Sequence, residues 1–505
     1  MAAPAALAAG APGTPIPTPD YDYRNPPPGV FDEQWMEIFI SGQKVGYSHQ
    51  TFRRAGDHVF TESHEEFRVK RLSFILSAVT DSTSEETLDG VPLAFHCTSD
   101  MSDQVITVDG KGDGKTFTIT KTVGTFQDPQ TVTFPAGTLM GWGQERLSRL
   151  KGLAPGTAYT FSGYDPSDDA FSALTMQVAV GKAEKTLVKD REQELSKVDL
   201  RVVSKSGEGA ADMTAWVDAG FHVHKMTVDL AGLSMELLAS TETAAKSAFL
   251  PQDIFAASLL TLPRDLPPGT QSVTLELHRT DGQPLPLPPE SATEHSVRLP
   301  DGGIAMTLRR VPRLEKSAGP LGASLPDVAP YLARNSYMDT RDQLLRHLAD
   351  QAGGPPGTDP VAVAWQLRDF VADYINQKDL GVGFATATQA AVTREGDCTE
   401  HAVLLAALGR IRGLPTRTAS GLAYLPVYQG QKNVLGFHMW TQFYFNGQWV
   451  DFDSALTDGP EPYWRLGLVA SDLNEVSLSD FSLELMRWMA QLKITVTALV
   501  PPSKD

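Results

Sequence analysis

The spacing of apolar residues divides the chain into two long regions. From residue 34 to residue 245 apolar and polar residues mostly alternate, as in "TFTITKTVGTF" and "LTMQVAVGKAEKTLV". A period of two puts successive side chains on opposite faces of a strand, so this region predicts strands with one buried face. Such strands with polar tips predict one large antiparallel sheet that curls over its own apolar face. The only convincing helix here is "ERLSRLKGL", residues 145–153.

Beyond about residue 340 the apolar spacing changes to three and four residues, which predicts helices. "TRDQLLRHLADQAGG" ends in Gly-Gly, and "DPVAVAWQLRDFVADYIN" opens with Asp359 as N-cap and Pro360 at the first helical position. Strands follow in "TRTASGLAYL", "HMWTQFYFN", "QWVDFDS" and "LKITVTALV". Helices before strands predict an α+β domain.

The intervening stretch holds two strand patterns, "QSVTLELHRT" and "IAMTLRRV", separated by a Pro-rich segment and too short for a large core. The fold class is therefore multi-domain α+β. We predict a flexible Ala/Pro-rich leader at 1–33, an antiparallel β domain at 34–245, a small β module at 246–315 and an α+β domain at 316–505. A length of 505 residues agrees with two to four domains.

Composition excludes some function classes. The chain has 43 Lys+Arg against 61 Asp+Glu, a formal charge of -18, which repels phosphate backbones and argues against nucleic-acid binding. No stretch reaches the roughly 20 apolar residues of a membrane span. The leader lacks the charged and leucine-rich regions of a signal peptide, so none is visible. Two cysteines, Cys97 and Cys398, do not make a disulfide framework.

Cys398 is the first candidate for chemistry. Asp397 is a good N-cap and Glu400 follows three residues later, so this Asp-led capping box makes Cys398 the first helical residue. The helix dipole and the unpaired N–H groups there favour a thiolate, and the same N–H groups suit an oxyanion. The Asp397 carboxylate opposes the thiolate, so a nearby base is still needed.

His438 and Asp453 supply that base and its orienting carboxylate. His438 begins an aromatic strand, Asp453 lies on the next strand, and Asn446-Gly447 predicts the hairpin turn between them. A carboxylate beside a histidine sets its tautomer, so Cys, His and Asp in this order suit a thiol triad. Asp451 lies on the same face as Asp453, and the choice between the two carboxylates stays open at this stage.

A metal site is the competing interpretation of Cys398. His401 lies three residues after Cys398 on the same helix face, but the further cysteine ligands of a zinc site are missing. We therefore predict no metal and no cofactor. His401 is expected to pack or hydrogen-bond near the cleft, and the segment His96-Cys97 is expected to be structural.

Residues 380–460 resemble the transglutaminase-like superfamily, which has a papain-type cysteine core, and the chain resembles its bacterial multi-domain members. The similar blocks are "REGDCTEHAVLLAALGRIRGLPTRTASGLAY" and "FHMWTQFYFNGQWVDFDSA". The resemblance implies that Cys398 is the nucleophile, His438 the general acid/base and Asp453 the orienting carboxylate, because Asp453 follows Trp449 by four residues. It also implies that Arg417 supports the active-site loop, although Arg417 equally suits a surface ion pair.

Two positions depart from the family pattern. Gly409 stands where stronger helix formers are usual, and Ser454-Ala455 stands where a Pro-Thr pair is common. We expect little catalytic consequence from the second departure. No Asp-x-Asp-x-Asp loop of the EF-hand kind is present, so no calcium site is predicted.

The implied activity is thiol-dependent acyl chemistry on peptide or glutamine-type amides through a thioester. Hydrolysis by a protease or amidase is slightly favoured over transglutaminase acyl transfer, and the expected partner is a peptide or protein substrate. The alternative is a non-catalytic binding or scaffold protein of the cell envelope that uses the β domain beside an idle transglutaminase-like domain. The resemblance also implies a bacterial, periplasmic or extracellular location, while a cytoplasmic one stays open.

Overall fold

The computed structural model describes residues 21–40, 42–71, 74–102, 104–203, 210–230, 233–249, 252–253, 259–280, 282, 284–311, 313–317, 327–378, 384–428, 430–457, 464–473, 488 and 492–501. The first 20 residues of the predicted leader lie outside this part. From Tyr21 onward the leader packs on the β domain, because the Tyr21 hydroxyl donates to Asp32 Oδ2 at 2.9 Å.

The β domain is built from long strands, as the period of two predicts. Its described strands are β1 (Gly29–Ile40), β2 (Gln43–Ala55), β3 (His58–Arg71), β4 (Phe74–Thr87), β5 (Pro92–Met101), β6 (Gln104–Gly112), β7 (Thr116–Val123), β8 (Phe126–Thr133), β9 (Ala158–Gly163), β10 (Leu174–Val188), β11 (Arg191–Val203), β12 (Ala210–Val217), β13 (Val223–Leu230) and β14 (Leu233–Ser240). Helix α1 (Gly141–Lys151) stands between β8 and β9, and the short helix α2 (Glu242–Ala245) follows β14.

These strands form one antiparallel sheet made of two meanders. The order is β8-β7-β6-β5-β4-β3-β2-β1-β14-β13-β12-β11-β10-β9, so β1 and β14 join the two halves. The chain leaves one edge of the sheet at β8, passes through α1, and enters the opposite edge at β9. The joining register includes Trp35 opposite Ser240.

Helix α1 packs on an apolar face of this sheet. Trp142 is fully buried in a cluster with Phe31, Phe52 and Val59. The predicted helix at 145–153 in fact begins at Gly141, four residues earlier. Its start has no side-chain cap of its own; instead Glu86 from β4 accepts the main-chain N–H groups of Trp142 and Gly143, both at 2.8 Å. A distant carboxylate thus starts a helix whose first residues are poor helix formers.

The remaining described elements are mainly helices and the strands of three smaller sheets. The helices are α3 (Gln343–Ala352), α4 (Pro360–Tyr374), α5 (Ala387–Thr393) and α6 (Cys398–Ile411). The strands are β15 (Gln252–Asp253), β16 (Leu260–Thr261), β17 (Ser272–Arg279), β18 (Glu294–Arg298), β19 (Ile304–Arg309), β20 (Gln377–Lys378), β21 (Glu395–Gly396), β22 (Thr416–Tyr428), β23 (Gln431–Phe445), β24 (Gln448–Phe452), β25 (Arg465–Ser471) and β26 (Leu492–Val500).

Strand pairing connects the segment at 246–315 to the regions before and after it. β15 runs parallel to the end of β3, and β16 pairs with β23. One four-stranded sheet has the order β18-β19-β17-β26, so the last strand of the chain lies beside β17. A five-stranded sheet has the order β16-β23-β22-β25, with β24 on β23, and β20 and β21 form a two-stranded sheet. The division at 315/316 stays a prediction, although the sheets cross it.

Helix α6 is the centre of the C-terminal core. Its residues from Ala402 to Leu408 are apolar and fully or almost fully buried, and they contact α3, α4, α5 and the sheet of β22 and β23. Gly409 is explained by this packing, because a Cβ there would lie 2.5 Å from Phe443 Cε1. A close approach to the sheet therefore outweighs helix propensity.

The large antiparallel sheet and the C-terminal helices followed by strands confirm the predicted multi-domain α+β class. The N-caps Asp359 and Asp397 are confirmed as well. Within the described residues, no helix combines the length and the apolar character needed to cross a membrane.

Candidate active site

Cys398 is the first residue of α6, as predicted. The Asp397 carboxylate accepts the Thr399 N–H at 2.8 Å, and Glu400 Oε2 accepts the Asp397 N–H at 2.9 Å. The reciprocal capping box is therefore confirmed. The cap uses the Thr399 N–H, which is then not available to an oxyanion. The Cys398 side chain is half-buried and packs against the C-terminal core.

The approach to Cys398 depends on a glycine. Gly396 lies in β21, which runs parallel to β20, and its φ is +153°. A Cβ at this position would lie 2.4 Å from Glu400 Cβ. Only glycine lets the chain pass this close to the helix that it is about to enter.

Glu400 is a fully buried carboxyl two residues from Cys398. It accepts hydrogen bonds from the N–H groups of Asp397 and Ala385 and from the Thr399 hydroxyl. Burial, and next the charge of Asp397, raise the pKa of Glu400 to about 8. A carboxyl that is mostly protonated at neutral pH adds little negative charge against a thiolate.

His438 and Asp453 form a buried pair. The His438 Nε2 and Asp453 Oδ2 atoms are 2.6 Å apart, and the two side chains are 5% and 3% exposed. His438 lies in β23, opposite Gly421 in β22, and Asp453 comes one residue after β24 ends. The hairpin between β23 and β24 turns at Asn446-Gly447 as predicted, with both residues at positive φ.

The second oxygen of Asp453 is also occupied. Oδ1 accepts the N–H groups of Ala455 at 3.0 Å and Leu456 at 2.9 Å. Burial alone would raise the pKa of the Asp453 carboxyl, but the charges of His438 and Arg465 and these hydrogen bonds hold it well below its usual range. Asp453 is therefore a carboxylate, and His438 Nε2 carries the proton between them, which leaves Nδ1 as the other ring nitrogen.

The structure separates the two candidate carboxylates. Asp451 Oδ1 accepts Trp440 Nε1 at 2.8 Å and Gln442 Nε2 at 2.7 Å, while its Oδ2 accepts the Thr293 hydroxyl at 2.6 Å. Of these two carboxylates, only Asp453 accepts a hydrogen bond from His438. The strand period could not make this choice, because Asp453 lies beyond the end of the strand.

Two contacts bring the start of α6 close to the segments that carry His438 and Asp453. Thr441 in β23 donates its hydroxyl to the Ala402 carbonyl at 2.8 Å. Ser454, next to Asp453, donates its hydroxyl to the His401 carbonyl at 3.4 Å. The first turns of the helix that begins at Cys398 therefore lie against both segments that carry the pair.

Sequence reasoning missed two arginines here. Arg465 Nε donates to Asp453 Oδ2 at 2.7 Å, and Arg368 Nε donates to the Asp453 main-chain carbonyl at 2.8 Å. Neither belongs to a recognisable motif, and each reaches the site only because a distant element packs beside it. Arg417 was a candidate for support of the loop or for a surface pair; it is buried, donates to Gln442 Oε1 at 2.7 Å and lies over Trp449.

Cys97 is remote from this chemistry. It lies in β5, is almost fully buried in the β domain, and forms no disulfide with Cys398. Burial raises the pKa of the Cys97 thiol to about 12. In the part of the chain that the structure describes, no group of three or more His, Cys, Asp or Glu side chains is arranged to hold a metal ion.

The family comparison falls on this region. Residues 347–454 match the family model described as the transglutaminase-like superfamily. The match confirms the resemblance that the two sequence blocks indicate. No curated protein matches the chain at a significant level.

Three solved structures are similar to the chain at low identity. A β-barrel-like protein from Brucella abortus, representing a domain of unknown function, is 16% identical, with 41% of this chain and 95% of that chain covered and a TM-score of 0.33. A candidate cysteine protease from Cytophaga hutchinsonii is 14% identical, with 46% and 86% covered and a TM-score of 0.29. A candidate protease from Parabacteroides distasonis is 10% identical, with 74% and 64% covered and a TM-score of 0.17. At such TM-scores these likenesses assign no function.

Proposed function

We propose that the C-terminal domain of this chain, which belongs to the transglutaminase-like superfamily through residues 347–454, is a thiol-dependent enzyme acting on peptide or glutamine-type amides. Cys398 is the proposed nucleophile, His438 the general acid and base, and Asp453 the carboxylate that orients His438. The proposal rests on one observation above all, the buried 2.6 Å contact between His438 Nε2 and Asp453 Oδ2.

The chemistry of the first half-reaction follows from these roles. The Cys398 thiolate attacks the carbonyl carbon of the amide, and a C–S bond forms. The C–N bond then breaks while the His438 imidazolium gives its proton to the departing amine. The product side retains a thioester on Cys398 and a neutral imidazole, and the amine leaves.

The second half-reaction regenerates the thiolate. Water attacks the thioester carbon, His438 takes a proton from it, and the C–S bond breaks to release a carboxylic acid. An amine in place of water gives a new amide by the same steps. We place hydrolysis ahead of amine transfer, because water needs no binding site of its own.

The first test measures thiol reactivity without assuming a substrate. Iodoacetamide labelling of the full chain is followed from pH 4 to 10, and the modified peptides of Cys398 and Cys97 are quantified by mass spectrometry. We expect Cys398 to react well below the ordinary thiol pKa of about 8.5, and His438→Ala to move its reaction to about that value. Cys97 serves as the internal control, because it is buried.

The second test separates the two acceptors. An unfolded protein rich in glutamine is incubated with the full chain and a fluorescent primary amine, alongside Cys398→Ala. Cleavage or deamidation that requires Cys398 supports hydrolysis, and amine incorporation that requires Cys398 supports transfer. Reaction of Cys398 only above about pH 8, with neither product formed, would instead favour the binding or scaffold protein with an idle domain.

A further inference from the structure

We propose that Arg465 is a positioning residue for the Asp453–His438 pair, and that Glu294, the first residue of β18, holds Arg465 in place. This inference rests on the proposed function for its meaning, but its test does not require a substrate. It adds an arginine from β25 and a glutamate from β18 to a site that otherwise comes from α6, β23 and the turn after β24.

Arg465 shares an oxygen with His438. Its Nε donates to Asp453 Oδ2 at 2.7 Å, the same oxygen that accepts His438 Nε2 at 2.6 Å. Its Nη2 also donates to the Leu456 carbonyl at 3.2 Å. The guanidinium thereby joins both ends of the turn from Asp453 to Leu456, and its side chain is 8% exposed. A buried arginine that donates to both the carboxylate and the carbonyl of this turn holds the two ends of the turn in a fixed relation.

The shared oxygen has an electrostatic consequence. A positive guanidinium keeps Asp453 ionised, which favours an imidazolium at His438. The same guanidinium repels that imidazolium, because both charges lie against one oxygen. Arg465 therefore orients the carboxylate and at the same time limits how strongly the pair holds the His438 proton. A general acid must release its proton to the leaving amine, so this limit suits the proposed reaction.

Glu294 explains why β25 presents Arg465 at this position. Gly467, two residues after Arg465, donates its N–H to Glu294 Oε1 at 2.5 Å. A Cβ at residue 467 would lie 2.6 Å from Glu294 Oε2, so a side chain there would displace the Glu294 carboxyl group. Glu294 is 4% exposed, and burial, followed by the charge of Asp451, raises its pKa to about 8. The Glu294 carboxyl group therefore sets the position of β25 near Arg465.

The pairing of β25 with β22 is irregular at this point. The register shifts between Ser420, which lies opposite Val469, and Gly421, which lies opposite Gly467. Gly421 is also the residue opposite His438. A bulge changes the direction of the side chains that follow it, so the regular ladder does not by itself determine where Arg465 points.

The segment around Glu294 is fastened to the same sheet at further points. The Ala292 N–H donates to the Trp449 carbonyl at 2.7 Å. The Thr293 hydroxyl donates to Asp451 Oδ2 at 2.6 Å. These contacts attach the two residues before Glu294 to β24. The segment that carries Glu294 is therefore attached to the sheet that carries His438.

The test uses the full chain and the pH profile of Cys398 alkylation by iodoacetamide. Arg465→Gln removes the charge, Arg465→Lys keeps it, and Arg334→Gln is the matched control, an arginine of the same domain paired with Asp339. The readout is the upper inflection of the profile. Loss of the guanidinium charge should move this inflection upward by about one pH unit. Arg465→Lys and Arg334→Gln should leave it in place.

Both arginine variants carry an outcome that overturns the proposal. An unmoved inflection in a folded Arg465→Gln protein, checked by circular dichroism, would show that Arg465 does not act on the pair. If Arg465→Gln does not fold, Arg465→Lys decides, because a shift as large as one unit with the charge retained contradicts the electrostatic role.

Glu294 is tested by the same profile. Glu294→Ala leaves the Gly467 N–H without its acceptor, so the inflection should move in the direction of Arg465→Gln, and Glu294→Gln, which keeps an acceptor oxygen, should restore it. A wild-type profile in folded Glu294→Ala would remove Glu294 from the proposal. Failure of the proposed function looks different: wild-type Cys398 itself would then react only above about pH 8, whatever residue 465 is.

Discussion

Asp453→Asn is the substitution that most directly tests the orientation of His438. Four donors point at the two carboxylate oxygens of Asp453: His438 and Arg465 at Oδ2, and the N–H groups of Ala455 and Leu456 at Oδ1. Asparagine has one oxygen and an NH₂ group. Whichever way the amide is turned, its NH₂ must face two donors, so two of the four hydrogen bonds are lost.

The magnitude follows from which contacts are lost. Asparagine is neutral in either orientation, so the buried Arg465 guanidinium loses its counter-charge, and such a loss costs about 3–5 kcal/mol of unfolding free energy. If the NH₂ faces His438 and Arg465, their two hydrogen bonds are lost. The imidazole also loses the acceptor that sets its tautomer. Replacement of an orienting aspartate by asparagine in a triad lowers turnover by about 10⁴-fold. We therefore expect a folded but weakened protein with little activity.

The assay compares Asp453→Asn with the matched control Asp451→Asn. Asp451 is a neighbouring, partly buried carboxylate that also accepts several hydrogen bonds, from Trp440, Gln442 and Thr293. Urea unfolding measures stability, and iodoacetamide labelling of Cys398 measures activation of the thiol. Both variants should lose stability, whereas only Asp453→Asn should move the labelling of Cys398 toward that of an ordinary thiol.

The loss of stability at acid pH gives an independent check. The pKa of Asp453 is lowered in the folded state, so its stabilisation is present above the ordinary aspartate pKa of about 3.9 and is lost as the pH falls through the folded value. In Asp453→Asn the unfolding free energy should depend less on pH in this acid range. The reasoning would be refuted if folded Asp453→Asn kept the wild-type labelling profile, or if Asp451→Asn changed it equally.

Three further predictions concern packing and buried charge. Gly409→Ala should lower the unfolding free energy by about 1–3 kcal/mol, because its Cβ would lie 2.5 Å from Phe443; urea unfolding measures this. Burial raises the pKa of Glu86 to about 7, so the folded chain keeps a proton that the unfolded chain releases. Wild-type stability should therefore fall by about 3 kcal/mol as the pH rises from about 4.5 to 7, and Glu86→Gln should remove this fall in urea titrations. Cys97→Ala should cost about 1–2 kcal/mol and leave Cys398 labelling unchanged.

Each of these changes has a control. For Gly409→Ala the control is Gly181→Ala, where the new Cβ makes an ordinary 3.4 Å contact with Lys197; equal stabilities of the two variants would contradict the packing argument. For Glu86→Gln the control is the exposed Glu192→Gln. A wild-type dependence of stability on pH in Glu86→Gln would contradict the raised pKa of Glu86. A changed Cys398 profile in Cys97→Ala would contradict the separation of the two thiols.

The sequence alone was sufficient wherever a feature depends on residues close together in the chain. The capping box at Asp397 and Glu400, the helix start at Cys398 and the hairpin at Asn446 all involve partners within a few positions, and all three were predicted. The period of two predicted the β domain for the same reason, because burial of one strand face makes apolar and polar residues alternate along the chain. The order of Cys398, His438 and Asp453 was also readable, and it carried the family resemblance.

Tertiary structure decided whatever depends on contacts between distant residues. Asp453 rather than Asp451 reaches His438 because the strand ends between them and the chain then turns. Arg465 acts on Asp453 only because β25 packs beside β22, and Glu294 reaches Gly467 from 173 positions away. Glu86 starts α1 from another strand in the same way. Charges and hydrogen bonds act through space over a few ångströms, whereas sequence patterns report only on neighbours along the chain.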